Sequence, residues 1–336
     1  MKSGLAKRER WPILYHYETS AVCCREFPAE CNRRIMSTLT VVVPAFNEEA
    51  LIGRCLDRLI AQTRVIDEII VVDNASTDAT PDIVDRYVSA HPNVKRIVES
   101  EPGVIAARRC GFDAATTDII AKTDADSLVG ADWADRIVSF FDSEIGADFA
   151  ALTGLVLTWD GPSYELQRRL QTWNLGPLAD GGETGSVHGP NYAIRRSVWS
   201  EVRESLQTPL EIWEDLDLGL ALSEAGHRMF FDPGLLVDAS CCQLRHSPWK
   251  NRSYISGGIR TARGRNNPAA VKALKVELPF RYMTFTVMWL LFRPWDNDRK
   301  NWRPHRLFTP LDRDRGLVTS RRAKDERTVE PDRFHS

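Results

Sequence analysis

The chain has 336 residues, a 43% hydrophobic and 27% charged composition, and a formal net charge of -2. Those values suit one large or two modest soluble domains and give no global basic field for nucleic acid. The seven cysteines include the adjacent pairs Cys23–Cys24 and Cys241–Cys242 and form no C-x-x-C, which disfavours a zinc site or a disulfide framework and leaves reduced thiols as the expectation.

Residues 1–36 show no clear period and no continuous apolar core of a signal peptide. They read as a disordered extension, or translation begins at Met36. "LTVVVPAF" is an apolar run ended by Pro44, the pattern of a strand buried on both faces. "EEALIGRCLDRLIAQT" places Leu51, Ile52, Cys55, Leu56, Leu59 and Ile60 at helical spacing. "DEIIVVDNAS" predicts a second buried strand, and "DATPDIVDRYVSA" a helix capped by Asp78 or Thr80 with Pro81 in its first turn. "VKRIVES" predicts a third strand, "GVIAARRCGFDAAT" a third helix and "DIIAKTDADS" a fourth strand. Beyond residue 150 the pattern loosens. "ALTGLVLTW" predicts a strand, "GPSYELQRRLQTWNLG" a helix, "HGPNYAIRRSVW" a short strand and turn, "EIWEDLDLGLALSEAG" a helix ending at Gly226, and "RMFFDP" a short strand. "MTFTVMWLLF", residues 283–292, is too short to span a bilayer. It reads first as a buried helix and otherwise as an interfacial one flanked by Arg281 and Arg293. The charged end, residues 311–336, reads as a flexible tail.

Strands alternating with helices predict a parallel sheet with right-handed crossovers, whose ligands sit at the carboxyl ends of the strands. Polar residues gather at those ends: Asn47, then Asp73, Asn74 and Ser76, then Asp124 and Asp126. No G-x-G-x-x-G follows the first strand, and Glu48 and Glu49 would repel a pyrophosphate there; no P-loop occurs either. A diphosphate bound without a glycine loop needs its charge neutralised, and Mg2+ or Mn2+ would bridge carboxylates to phosphate oxygens. In an extended stretch Asp124 and Asp126 would share a face and serve as that metal handle, although the same pair also suits a plain turn.

Four stretches, in order, resemble a family 2 glycosyltransferase of the GT-A fold: "VVVPAFNEEALIGRCLDRL", "DEIIVVDNASTDAT", "GVIAARRCGFDAATTDIIAKTDADS", and "HGPNYAIRRSVW" with "EDLDLGLALSEAGHRMFFDP". The resemblance covers about residues 37–247. It implies an α/β architecture, a Rossmann-like, mostly parallel sheet flanked by helices. The nucleotide-binding half would be 37–130 and the acceptor half 131–247, followed by a helical, basic segment at 248–310. It also implies a nucleotide-sugar donor, most often a UDP-sugar, and a divalent metal. Pro44, Ala45, Asn47 and Glu48 would line the nucleoside pocket; Asp73 and Ser76 would face base or ribose; Arg108 would approach base or diphosphate. Asp124 would contact ribose or metal-bound water, Asp126 would ligate the metal and His246 would complete its coordination. Gly189 and Asn191 would pass beneath the donor sugar. An inverting transfer needs one base, and Asp215 matches it, with Glu214 as the alternate. The processive Q-x-x-R-W signature is missing, which favours transfer of one sugar.

Each role has a structural alternative. Glu48 is a favourable acid at a helix start, Asp73 a turn acid, Ser76 a cap, Arg108 a solvated helix residue and His246 a surface histidine. "HGPN" would be a plain turn and "EIWEDLD" an acidic first turn. The acceptor hydroxyl stays open between lipid-linked molecules, glycans, natural products and proteins. The expected setting is cytoplasmic, with peripheral contact at the membrane face as an added option and oligomeric state unread. Two rival functions remain. A nucleotidyltransferase of related fold would want a glycine- and lysine-rich first loop where this chain has "PAFNEEA"; a non-catalytic nucleotide-sugar binder would not need the intact acid pairs.

Overall fold

A computed structural model describes residues 36–209 and 211–309; the expected N-terminal extension up to residue 35 and the tail from 311 lie outside the described residues. The first half alternates strands and helices: β1 (Leu39–Ala45), α1 (Ile52–Ile60), β2 (Glu68–Asp73), α2 (Thr80–Ala90), β3 (Val94–Val98), α3 (Val104–Ala114) and β4 (Ile119–Lys122). β1, β2 and β4 are mostly Val, Ile, Leu and Ala, nearly all buried, as strands covered by helices on both faces must be. Strands β3, β2, β1 and β4 lie side by side and all parallel.

The second half comprises β5 (Leu128–Val129), α4 (Trp133–Asp142), β6 (Ala151–Thr158), α5 (Tyr164–Leu175), β7 (Gly182–Thr184), β8 (Tyr192–Arg195), α6 (Arg196–Val202), α7 (Glu214–Glu224) and β9 (Met229–Ala239). The sheet continues from β4 through β8, β6 and β9 to β5, with β7 also on β9. Here it is mixed: β8 runs antiparallel to both β4 and β6, whereas β6 and β9 are parallel. β9 runs well past the short strand expected from "RMFFDP". Pro233 and Gly234 are carried in a register shift opposite Gly154 and Leu155, so the strand resumes beyond a bulge instead of ending at Pro233.

Two departures bear on function. β4 ends at Lys122, before both acids; Asp124 and Asp126 lie in a tight turn closed by Ser127 N donating to Asp124 O at 3.0 Å, so the shared-face argument for an extended D-x-D fails. At the far end, α8 (Arg252–Gly264) leads to α9 (Pro268–Phe292) and a hairpin of β10 (Trp295–Asp296) and β11 (Asn301–Trp302). The expectation of a buried helix at 283–292 is overturned: Phe292 alone is buried in α9, and Met283, Val287, Leu290 and Leu291 are exposed. Among the described residues no helix is long and apolar enough to cross a membrane.

Candidate active site

At the tip of β1 the chain turns sharply through Asn47, at φ 53, a left-handed conformation that asparagine tolerates. Asn47 N donates to Ser76 Oγ at 3.1 Å, and Asn47 Oδ1 accepts from Thr77 N at 2.8 Å. Glu48 N donates to Thr80 Oγ1 at 2.7 Å. Asp73 is 3% exposed; it accepts from Ser76 N at 3.0 Å and faces Arg96 at 3.6 Å. Ala75 beside it has φ 57, a left-handed conformation that costs a non-glycine residue roughly 1 kcal/mol. Pro44, Ala45, Asn47, Glu48, Asp73 and Ser76 thus form one hydrogen-bonded rim on the tips of two adjacent strands.

The acid turn lies beside this rim. Cys55 of α1 donates weakly to Asp124 O at 3.5 Å, and its thiol is pushed up first by burial and then by the charges of Asp126, Asp124 and Glu48. Asp124 Oδ1 is taken by Lys122 Nζ at 2.6 Å. Among the described residues no three of His, Cys, Asp and Glu form a metal-holding group, so Asp124, Asp126 and His246 are not gathered into one. His246 is 5% exposed, against the surface alternative as well; its carbonyl accepts from Asn251 Nδ2 at 3.0 Å.

The Gly189 turn and the Glu214–Asp215 pair are joined to the acid turn by buried charges. Lys122, fully buried, also donates to Gly189 O at 2.8 Å and lies 3.3 Å from Glu214 Oε1. Arg108 is equally buried and pairs with the Glu214 carboxylate while donating to its backbone carbonyl at 2.9 Å. Arg108 is thus not on a solvated face, and its guanidinium is engaged by Glu214. Arg109 instead meets Glu204 and Asp113 near the surface. Burial alone would raise Glu214, but Lys122 and Arg108 outweigh it and hold the carboxyl below the usual glutamate range. Asp215 moves the other way, raised first by burial and next by the Glu214 charge. Asp215 accepts from Leu216 N at 2.8 Å and from Gly189 N at 3.2 Å. A Cβ on Gly189 would stand 3.5 Å from the Asp215 carboxylate, so this backbone approaches the acid closely.

Asn191 does not face a ligand. It is fully buried; its oxygen accepts from Trp133 Nε1 at 2.8 Å and its amide nitrogen donates to Leu155 O and Leu235 O at 3.0 and 2.8 Å. It braces β6, β9 and α4 under the site. Trp213, the residue before the two acids, is walled in: Arg281 lies 4.2 Å over its ring, Tyr254 is 5.5 Å away, and a Cβ on Gly257 would come 2.5 Å from its Nε1. Two residues were missed. Lys122 had a legible signal, a lysine inside the apolar run "IIAK". Tyr254 had none; its ring lies 5.5 Å from Trp213 and 5.9 Å from Phe285, and the packing around it and then the Asp215, Asp124 and Glu214 charges act to raise its phenol.

Residues 40–203 match the family described as Glycosyl transferase family 2. Over 104 residues the chain is 34% identical to glycosyltransferase AglE of Haloferax volcanii, covering 30% of this chain and 34% of that protein. Over 247 residues it is 25% identical to the probable glycosyltransferase YdaM of Bacillus subtilis, covering 68% of this chain and 56% of that one. It therefore spans less than two thirds of the length of either relative. Among solved structures, mannosyltransferase PcManGT of Pyrobaculum calidifontis, in complex with GDP-Man and Mn2+, aligns with a TM-score of 0.58 at 21% identity, covering 76% of this chain and 74% of that one. The matched segment makes residues 40–203 a glycosyl transferase family 2 region, and the sheet order and structural likeness give the chain the GT-A fold.

Proposed function

We propose that the protein transfers a single sugar from a nucleotide-diphosphate sugar, UDP-linked by preference, to an acceptor hydroxyl with inversion at the anomeric carbon. The observation that carries this reading is the Lys122 ammonium, bonded at once to Asp124 of the acid turn and to the Gly189 carbonyl, and paired with Glu214. In this reading the phosphate end of a donor would lie on the Asp124 side of this buried cation and the Glu214–Asp215 pair on the other. Pro44, Ala45, Asn47, Glu48, Asp73 and Ser76 would receive the nucleoside, and Asp126, with Asp124 in support, would hold a divalent metal. When bound, that metal neutralises the charge growing on the departing diphosphate.

Asp215 is the base. Glu214 is held ionised by two cations, which lowers its proton affinity, whereas Asp215 has a raised affinity and faces the Gly189 backbone. As the acceptor oxygen bonds to the anomeric carbon, its proton passes to Asp215, and the carbon–phosphate oxygen bond breaks with its electron pair leaving on the diphosphate. The transition state resembles an oxocarbenium ion, as in glycoside hydrolysis. Because PcManGT was solved with GDP-Man, a panel of UDP- and GDP-sugars is the test, with nucleotide release measured in Mn2+ and in EDTA. Release in Mn2+ that is lost in EDTA and in Asp126→Asn is expected. Metal-independent nucleotide binding, unaltered in that variant, would overturn the role of Asp126.

A further inference from the structure

From Leu278 to Phe292, α9 carries a single charged residue, Arg281. A helix so apolar around its circumference belongs in a core or against lipid. Its inner edge is anchored: Arg281 covers Trp213 at 4.2 Å and Phe285 meets Tyr254 at 5.9 Å. Its outer face is bare. Val276, Phe280, Met283, Val287 and Leu290 recur every three or four residues and are all exposed, from 67% for Val276 to 48% for Leu290. At 100° per residue they fall within about 40° of one line along the helix. The polar groups near this face are already satisfied. Thr284 and Thr286 donate to Phe280 O and Tyr282 O at 2.9 and 2.7 Å, and Glu277, the acid of α9, pairs with Arg281 at 3.1 Å.

Charge brackets the stripe. Exposed Lys272 and Lys275 precede it. At its far end the hairpin is tied on by Trp302 Nε1 donating to Leu291 O at 3.1 Å, and carries exposed Arg299 and Lys300 against one exposed acid, Asp298. The stripe is about 21 Å long, short of the roughly 30 Å hydrocarbon core, so it suits lying along an interface.

We infer that the outer face of α9 docks the protein on an anionic bilayer, with the apolar stripe in the interface plane and Lys272, Lys275, Arg299 and Lys300 on acidic headgroups. The inner edge of the same helix supports Trp213, the residue before Glu214 and Asp215, so docking brings the acceptor side to headgroup level. On the sugar-transfer reading, the acceptor is then a membrane-borne amphiphile with its hydroxyl among the headgroups.

Co-sedimentation of the full chain with phosphatidylglycerol/phosphatidylcholine vesicles, with no donor present, tests docking apart from catalysis. Binding is expected, weaker on pure phosphatidylcholine and in high salt. Phe280→Glu with Val287→Glu should weaken it by on the order of tenfold or more, and Lys272→Gln with Lys275→Gln by about fivefold per charge. Unchanged melting temperatures would show that the exposed substitutions leave the fold intact. No vesicle binding, binding indifferent to these variants, or a solution dimer that Phe280→Glu dissociates would overturn the inference, the last by giving the face to a second copy.

Discussion

The proposed donor edge and the proposed acceptor side of the site are held together by different forces. At the donor edge, partners lie within about one strand–helix unit, as Asn47 and Ser76 do at a separation of 29 residues, and the bonds are short-range turns between strand tips. On the acceptor side, Arg108 reaches Glu214 across 106 residues and Lys122 reaches Gly189 across 67, through charges buried out of water. A donor edge built from local hydrogen bonds can lose one residue and keep its shape. A joint made of buried charges cannot, because removing one partner strands the others.

That contrast can be broken at its chemical end first. Asp215→Asn should lower turnover by about 10²–10⁴-fold while nucleotide binding, measured by calorimetry, survives. Loss of binding without a specific loss of turnover would move the base elsewhere. Lys122→Met should destabilise the fold by about 3–5 kcal/mol, read by chemical denaturation, since Glu214 and Asp124 lose their shared cation. A variant as stable as the parent would dissolve the proposed joint between the halves. Asn191→Leu should cost about 1–3 kcal/mol by leaving Trp133 Nε1 and two carbonyls unpaired, with donor affinity unchanged. Weaker donor binding at full stability would return Asn191 to the ligand.

The smallest effect concerns pH. Asp215 must be ionised to accept a proton, and its affinity is raised above the ordinary aspartate value of 3.8, so kcat/KM should fall on acidification earlier than for an unperturbed aspartate. Glu214→Gln removes a charge that raises Asp215, and the acidic limb should move to lower pH. The stability linkage of Glu214 has the opposite sign. Its folded value is depressed, so its contribution is present above its unfolded value near 4.5 and is lost as pH falls through the folded value.

Much of the first half was legible. The apolar runs at 39–45, 68–73 and 119–122 are strands because parallel strands are buried on both faces, and the polar residues that follow them must therefore sit together at one edge. The E-D pair was also readable as a motif, but the contact of the Gly189 backbone with Asp215 was not. The bulge that carries Pro233 through β9 was not, since a proline in a strand pattern argues for an end unless the partner's register is known. Nor was the spending of Asn191 and Arg108 inside the protein, because a side chain's hydrogen-bond partners are fixed by segments far off in the chain.

By itself the sequence determined the alternation of elements, the edge on which polar residues collect and the family pattern, because periodicity and burial are local properties of a chain. Only the tertiary structure decided that Lys122 joins the two acid pairs, that Glu214 and Asp215 differ in proton affinity, and that the apolar helix α9 turns its face outward. Those are facts of electrostatic neighbourhood and packing, set by which distant residues share a dry volume and which are left in water.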